Sequence, residues 1–134
     1  MYLVYILSTH NSNLYYVGMT NNFLRRWLQH NQILSGGAKF TKKSNGWYPI
    51  CIIDGFNNKS EAMQCEWKLK NRRYKLSKKL KGDIGRITYL NLLLLDEKWT
   101  SKSPNIVSQK LTIYIDDEYK HLLTHPSKEL YWKL

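Results

Sequence analysis

The sequence specifies a small α+β domain, on three observations. Its 134 residues can bury one core without disulfide or metal staples. Its hydrophobic fraction of 43% is that of a folded globular chain. Its periodicity alternates along the chain between strand-like runs and helix-like spacing, in the order β-β-α-β-α-α.

Tyr2 to Leu7 (YLVYIL) is β-branched and aromatic and predicts a strand. A polar turn over Ser8 to Asn13 leads to a second strand, Leu14-Tyr15-Tyr16-Val17, ended by Gly18. Two strands joined by so short a polar turn make an antiparallel hairpin. Thr20-Asn21-Asn22 supplies N-cap chemistry for a helix over Phe23 to Leu34, in which Phe23 pairs with Trp27, and Leu24 with Leu28, at i, i+4. Ser35-Gly36-Gly37 stops it, and Lys39 to Asn45 reads as a basic loop. The unbroken apolar run Ile50-Cys51-Ile52-Ile53 predicts a buried central strand. Asn58 and Glu61 form a capping box for a helix over about 59–76. A third helix is expected over about 86–97; beyond Thr100, Leu111 to Ile115 alternates like a strand and Asp117 to Thr124 is a candidate helix.

Lys and Arg total 21 against 10 acids, a formal net charge of +11. Such an excess points to an anionic polymer or an anionic membrane surface as partner. Between Lys68 and Arg86 lie nine basic residues and one acid, Asp83. With Trp67 and Tyr74 among them, this stretch suits backbone tracking and stacking on unpaired bases; a solvated basic helix face would give the same count. No apolar run reaches the ~18 residues of a membrane span, and Met1 to Leu7 lacks a basic leader and a small-residue cleavage site, so neither membrane insertion nor secretion is expected. Cys51 and Cys65 are too few for a cysteine zinc module, and His10, His30, His121 and His125 do not stand at finger-like spacings from them. His121 and His125 share an i, i+4 spacing but lack a third ligand. Two thiols packed as small hydrophobes in a reducing, intracellular compartment is the expectation.

Helix two carries an anomaly. Ala62, Cys65, Glu66 and Leu69 fall at i, i+3, i+4 and i+7, which puts a carboxylate on an apolar stripe. A buried charge must be compensated, so Glu66 either pairs with an arginine or binds a metal ion. Glu61, in the first turn, is an ordinary cap. Arg26 and His30 share one face of the first helix; the planar guanidinium suits phosphate, and two exposed residues on a solvated face have the same spacing. Tyr2, Tyr5, Tyr15 and Tyr16 crowd the hairpin, as strand-forming aromatics also would.

Taken in order, these residues resemble the GIY-YIG nuclease superfamily. Leu3-Val4-Tyr5-Ile6 stands in the place of its Gly-Ile-Tyr element, with Leu3 for the glycine, and Tyr16-Val17-Gly18 in that of its Tyr-Ile-Gly element. Thr20, Arg26, Trp27 and His30 follow at its spacing for the catalytic arginine and the first-helix histidine, and Glu66, inside Cys-Glu-Trp, matches its metal-binding glutamate. Tyr16 to Thr20, Arg25-Arg26, Gln29-His30-Asn31, Gly36-Gly37-Ala38 and Asp54-Gly55-Phe56 are most similar to the structure-specific endonuclease subunits that act with a scaffold protein on flaps and Holliday junctions.

The resemblance implies a three-stranded antiparallel sheet flanked by helices in a nuclease domain over residues 1–85, with 86–134 a short helical and strand extension packed on the same domain. It implies hydrolysis of phosphodiesters in branched DNA. Tyr5, or Tyr2 in a longer hairpin, activates water with Tyr16 beside it, and Arg26 steadies the phosphate charge. His30 orients a tyrosine or meets phosphate, and Glu66 holds one divalent ion, Mg²⁺ or Mn²⁺. Residues three apart on a strand point to opposite faces, so only one of Tyr2 and Tyr5 can face the site. Arg25, Lys39, Lys42, Lys43, Lys68, Arg72, Arg73 and Lys75 would hold the DNA backbone. A scaffold partner is implied, yet the zinc module through which those subunits dock it has no match here; the oligomeric state is left open. Two other classes remain, a non-catalytic nucleic-acid-binding module and a sequence-specific nuclease of restriction or homing type.

Overall fold

The computed structural model describes residues 1–10, 12–71 and 78–131. β1 (Tyr2–Thr9) and β2 (Ser12–Thr20) form the expected hairpin, and β3 (Tyr48–Phe56) pairs antiparallel with the other edge of β1. β4 (Thr112–Ile115) adds antiparallel to β3, and β5 (Lys128–Glu129) parallel to β4, in the order β2-β1-β3-β4-β5. The sheet is therefore five strands wide rather than three. The added width comes from the C-terminal residues, whose alternation buries Ile113 and Ile115 against the sheet core.

α1 (Phe23–His30) covers one face of the sheet, and α2 (Lys59–Lys70) and α3 (Gly82–Leu93) cover the other. Strand alternation divides β1 between two cores. Tyr5 and Leu7 pack with Phe23, Trp27, Trp47 and Ile52, while Val4 and Ile6 pack with Ala62, Cys65, Leu69, Ile87 and Leu90.

α1 stops at His30 instead of Leu34, because Gln32 adopts φ +65°, a left-handed turn through which a helix does not continue. At the start of α2, Asn58 Oδ1 accepts the Glu61 N–H at 2.9 Å, and the Glu61 carboxylate accepts the Asn57 N–H at 3.2 Å, one residue earlier than in the usual box. α2 ends at Lys70 rather than near 76, because Asn71 leaves the helical region (φ −74°, ψ 111°); residues 72–77 lie outside the described residues. α3 begins at Gly82, earlier than expected, and the candidate helix after Asp117 is a 3₁₀ segment, Asp117–Leu122. Cys51 and Cys65 are buried, and burial pushes the Cys51 thiol up to about 12 and Cys65 well up, so both pack as unreactive hydrophobes. Among the described residues no helix is long and apolar enough to cross a membrane.

Asp83, in the first turn of α3, ties three parts of the chain together. It accepts hydrogen bonds from Tyr119 Oη at 2.6 Å and from Ser8 Oγ at 2.9 Å. Partial burial opposes its charge, but these bonds and the Ile84 N–H outweigh it and hold the carboxyl below its ordinary range. Tyr119→Phe removes one bond to a charged acceptor and should cost about 1.5–3 kcal/mol, read as a lower urea midpoint at unchanged m. An unchanged midpoint would show that this contact does not hold the extension.

Candidate active site

The hairpin register sets the site. Tyr5 lies opposite Gly18, and Leu7 opposite Tyr16, so both tyrosines stand on the α1 face of the sheet. A Cβ at position 18 would overlap the Tyr5 phenol, so glycine is what lets that ring lie across β2. The Tyr5 ring is 1% exposed and meets Phe23 edge-on at 5.2 Å. Its hydroxyl is 2.7 Å from His30 Nε2. His30, the last residue of α1, is fully buried, and its Nδ1 lies 3.0 Å from Thr41 Oγ1. The arrangement is held by Trp47: its Nε1 donates to the Thr41 carbonyl at 2.8 Å, and its carbonyl accepts from Trp27 Nε1 at 2.7 Å and Asn31 Nδ2 at 2.9 Å. One buried indole thus fastens the end of α1 to the 3₁₀ turn Phe40–Lys43.

Arg26 stands one turn before His30. Its Nη1 donates to Gln29 Oε1 at 3.0 Å and to the Gly36 carbonyl at 2.9 Å, which fixes the plane of the guanidinium. Gly36, at φ +101°, allows the loop to fold back and offer that carbonyl. Tyr16 is half-buried, with its ring centre 4.9 Å from His30 and 6.4 Å from Tyr5, and it stacks on Phe40 at 6.2 Å. Lys70 Nζ sits 5.1 Å above the Tyr16 ring and 3.6 Å from Glu66 Oε2. The carboxylate therefore pairs with a lysine of its own helix, at the margin of the apolar stripe, where its side chain is 22% exposed. A cleft of about 600 Å³ runs along the free edge of β2, lined by Tyr15, Tyr16, Phe40, Lys70 and Lys81.

These groups feel one another's charge. Burial, and then Tyr16, push the Tyr5 phenol well above its ordinary range; Arg26 pulls it partly back, while Glu66 adds to the rise. Burial, with Arg26 and Lys70 beside it, lowers His30 to about 4. At neutral pH the pair is a neutral phenol beside a neutral imidazole.

Tyr2 lies on the opposite face, packed against the core under α2 and α3, and does not meet His30. His30 is a buried hydrogen-bonding group rather than half of an exposed pair. Arg25, Lys39, Lys42 and Lys43 are exposed on α1 and on the turn that carries Thr41, with Lys43 Nζ 4.6 Å over the Phe40 ring. Lys68 is half-buried on α2, and Arg72, Arg73 and Lys75 lie outside the described residues. Thr41, Trp47, Asn31 and Lys70 are not among the nominated site residues; Asn31 carries a signal beside His30 in the resemblance, and Lys70 in its i, i+4 spacing from Glu66.

No cluster of three or more His, Cys, Asp or Glu ligands gathers among the described residues, which does not suit a closed zinc site. Glu66, partly exposed and with one long contact to Lys70, suits a hydrated divalent ion that takes a single carboxylate and keeps its waters.

A model of the GIY-YIG catalytic domain matches residues 1–81. The chain belongs to the GIY-YIG family of nuclease catalytic domains. Among curated proteins it is similar to the structure-specific endonuclease subunit SLX1 of Phaeosphaeria nodorum, 42% identical over 72 residues, which are 52% of this chain and 20% of that protein. The same subunit of Schizosaccharomyces pombe is 38% identical over 73 residues, 52% of this chain and 27% of the relative. A homolog from Giardia intestinalis is 40% identical over 52 residues, 39% of this chain and 14% of the relative. The chain thus matches about a quarter or less of each relative's length.

The buried histidine has a consequence for stability. Its value falls from 6.5 in the unfolded chain to about 4 in the fold, so between those values the unfolded chain binds more protons. The contribution is full above pH 6.5 and is lost as pH falls toward about 4. In His30→Gln that slope should flatten, seen in melting temperatures measured across the window. An unchanged slope would mean that His30 is not the group responsible.

Proposed function

We propose that this chain is a divalent-metal-dependent endonuclease that hydrolyses phosphodiesters at branches in DNA such as flaps, forks and four-way junctions. The observation that supports it is the convergence of two phenols, a buried imidazole and a fixed guanidinium beside a partly exposed carboxylate.

Tyr16, half-buried at the cleft, is the phenol that solvent reaches; Tyr5 lies behind it and shares its proton with His30. An attacking water held at these hydroxyls loses a proton to Tyr5 as its oxygen bonds to phosphorus. A phenol with an ordinary pKa near 10 is a poor base by itself, so a neighbouring group must take its own proton and a cation must offset the phenolate charge. On this reading the first task falls to His30, which meets the Tyr5 hydroxyl at 2.7 Å, and the second to Arg26, whose charge lowers the phenol. Arg26, its plane fixed by Gln29 and Gly36, offers its remaining N–H groups to the non-bridging oxygens, where charge accumulates. Glu66 would hold the divalent ion, with Mg²⁺ proposed and Mn²⁺ as the substitute; when bound it supplies charge neutralisation at the departing 3′ oxygen.

Arg25, Lys39, Lys42 and Lys43 would grip backbone phosphates, contacts that position DNA without reading its sequence. Trp67, next to Glu66 on α2, is 48% exposed and offers an indole face to an unpaired base. That face favours a substrate with single-stranded character over a fully paired duplex.

Glu66→Gln and Arg26→Ala should each lower the cleavage rate of a labelled flap about 10²- to 10³-fold with circular dichroism unchanged. At matched salt, and with Mg²⁺ or Mn²⁺, flap, fork and four-way DNA should be cut while linear duplex is spared. Binding without cutting would leave a nucleic-acid-binding module, and equal cutting of linear DNA would remove the branch specificity.

A further inference from the structure

We infer that Thr41 is a positioning residue: it fixes the tautomer of His30 and thereby the direction in which the Tyr5 proton moves. This rests on the nuclease reading for its role in turnover, but the tautomer itself follows from the hydrogen bonds alone.

Two oxygens in hydrogen-bond contact must share a proton. Thr41 Oγ1 is 2.8 Å from the Ala38 carbonyl, and a carbonyl has no proton to give, so the hydroxyl donates. The Ala38 oxygen also takes the Thr41 N–H at 3.1 Å, which leaves it purely an acceptor. The single hydroxyl proton of Thr41 is then engaged. Its oxygen still lies 3.0 Å from His30 Nδ1, and that contact can hold only if Nδ1 carries the hydrogen and donates. A neutral imidazole protonated at Nδ1 has its lone pair at Nε2. There Tyr5 Oη stands at 2.7 Å, so the phenol donates.

The chain runs one way, Tyr5 to His30 to Thr41 to the Ala38 carbonyl. The opposite order, with Thr41 donating to Nδ1, would set two bare oxygens against each other at 2.8 Å, Thr41 and Ala38, beside a fully buried side chain. It would also turn an N–H toward Tyr5, so that the phenol could not donate to His30. Thr41 is itself held, since Trp47 binds its carbonyl at 2.8 Å from within the core. His30 is depressed to about 4 chiefly by burial, which agrees with a neutral ring at working pH.

In turnover one proton moves along this chain. The water O–H bond breaks as its oxygen bonds to phosphorus, and that proton goes to Tyr5 Oη. The Tyr5 proton passes to His30 Nε2, making an imidazolium with hydrogens on both nitrogens. The bond from phosphorus to the 3′ oxygen breaks, solvent protonates the departing oxygen, and His30 returns its Nε2 proton to Tyr5 Oη as that phenol passes one out to water in the cleft. Thr41 takes no proton at any step; it keeps Nε2 open to receive one.

The test is ¹⁵N NMR of histidine-labelled protein without DNA, joined to cleavage kinetics. The wild type should show His30 protonated at Nδ1 and bare at Nε2. Thr41→Val, similar in shape but without the hydroxyl, should lose that preference and lower kcat about 10- to 100-fold with KM for a flap little changed. Thr41→Ser should restore both the tautomer and the rate. A wild-type ring protonated at Nε2 would overturn the inference, as would a Thr41→Val enzyme of normal kcat. The tautomer is read without substrate, so it judges the Thr41 assignment separately from whether the chain cuts DNA.

Discussion

Between β1 and the last residue of α1, a buried phenol and a buried imidazole meet at 2.7 Å. Both partners are polar groups in a core, and each satisfies hydrogen-bonding capacity that burial would otherwise leave open on the other. Much of the surrounding sequence answers to that contact. Gly18 clears the path of the Tyr5 ring, Phe23 seats its edge, and Trp47 joins the end of α1 to the turn that carries Thr41. The sheet contributes register, because pairing Tyr5 with Gly18 also places Tyr16 on the same face.

The same burial sets the chemistry. Removing water from Tyr5 and His30 disfavours charge on each, so the phenol rises and the imidazole falls to about 4. A resting tyrosinate–imidazolium pair is therefore not formed. Arg26 is the group beside the phenol that pulls in the other direction. On the proposed function, the Tyr5–His30 pair stays neutral until a phosphate and its accompanying cation occupy the cleft, which restricts proton transfer to the moment of attack. Lys70 bridges the two halves of this design, lying over Tyr16 and pairing with Glu66.

The hairpin, the central strand and the cap of α2 were legible because each is written locally, in alternation or in cap residues a few positions apart. The end of α1 was not: continuing apolar residues, Ile33 and Leu34, suggest more helix, while the left-handed Gln32 has no signature in the sequence. The width of the sheet was also hidden, since the alternation of Thr112–Ile115 marks a strand without naming its neighbour, β3. In the site, Tyr5, Tyr16, Arg26, His30 and Glu66 could be nominated by spacing and resemblance. Thr41 and Trp47 could not, because their partners lie 11 and 16 residues away across a loop without periodicity. Glu66 stood out as a charge on an apolar stripe, and the structure gives the physical resolution: it sits at the stripe's margin, paired with Lys70.

Single-turnover cleavage by Tyr5→Phe addresses the core of this account, because the substitution keeps the ring and removes only the hydroxyl that meets His30. The account requires a rate lower by about 10²-fold or more with flap affinity close to wild type, in a variant that stays folded but melts at a lower temperature because His30 Nε2 loses its partner. Cleavage at the wild-type rate would contradict it, since the buried phenol–imidazole pair would then have no part in the reaction.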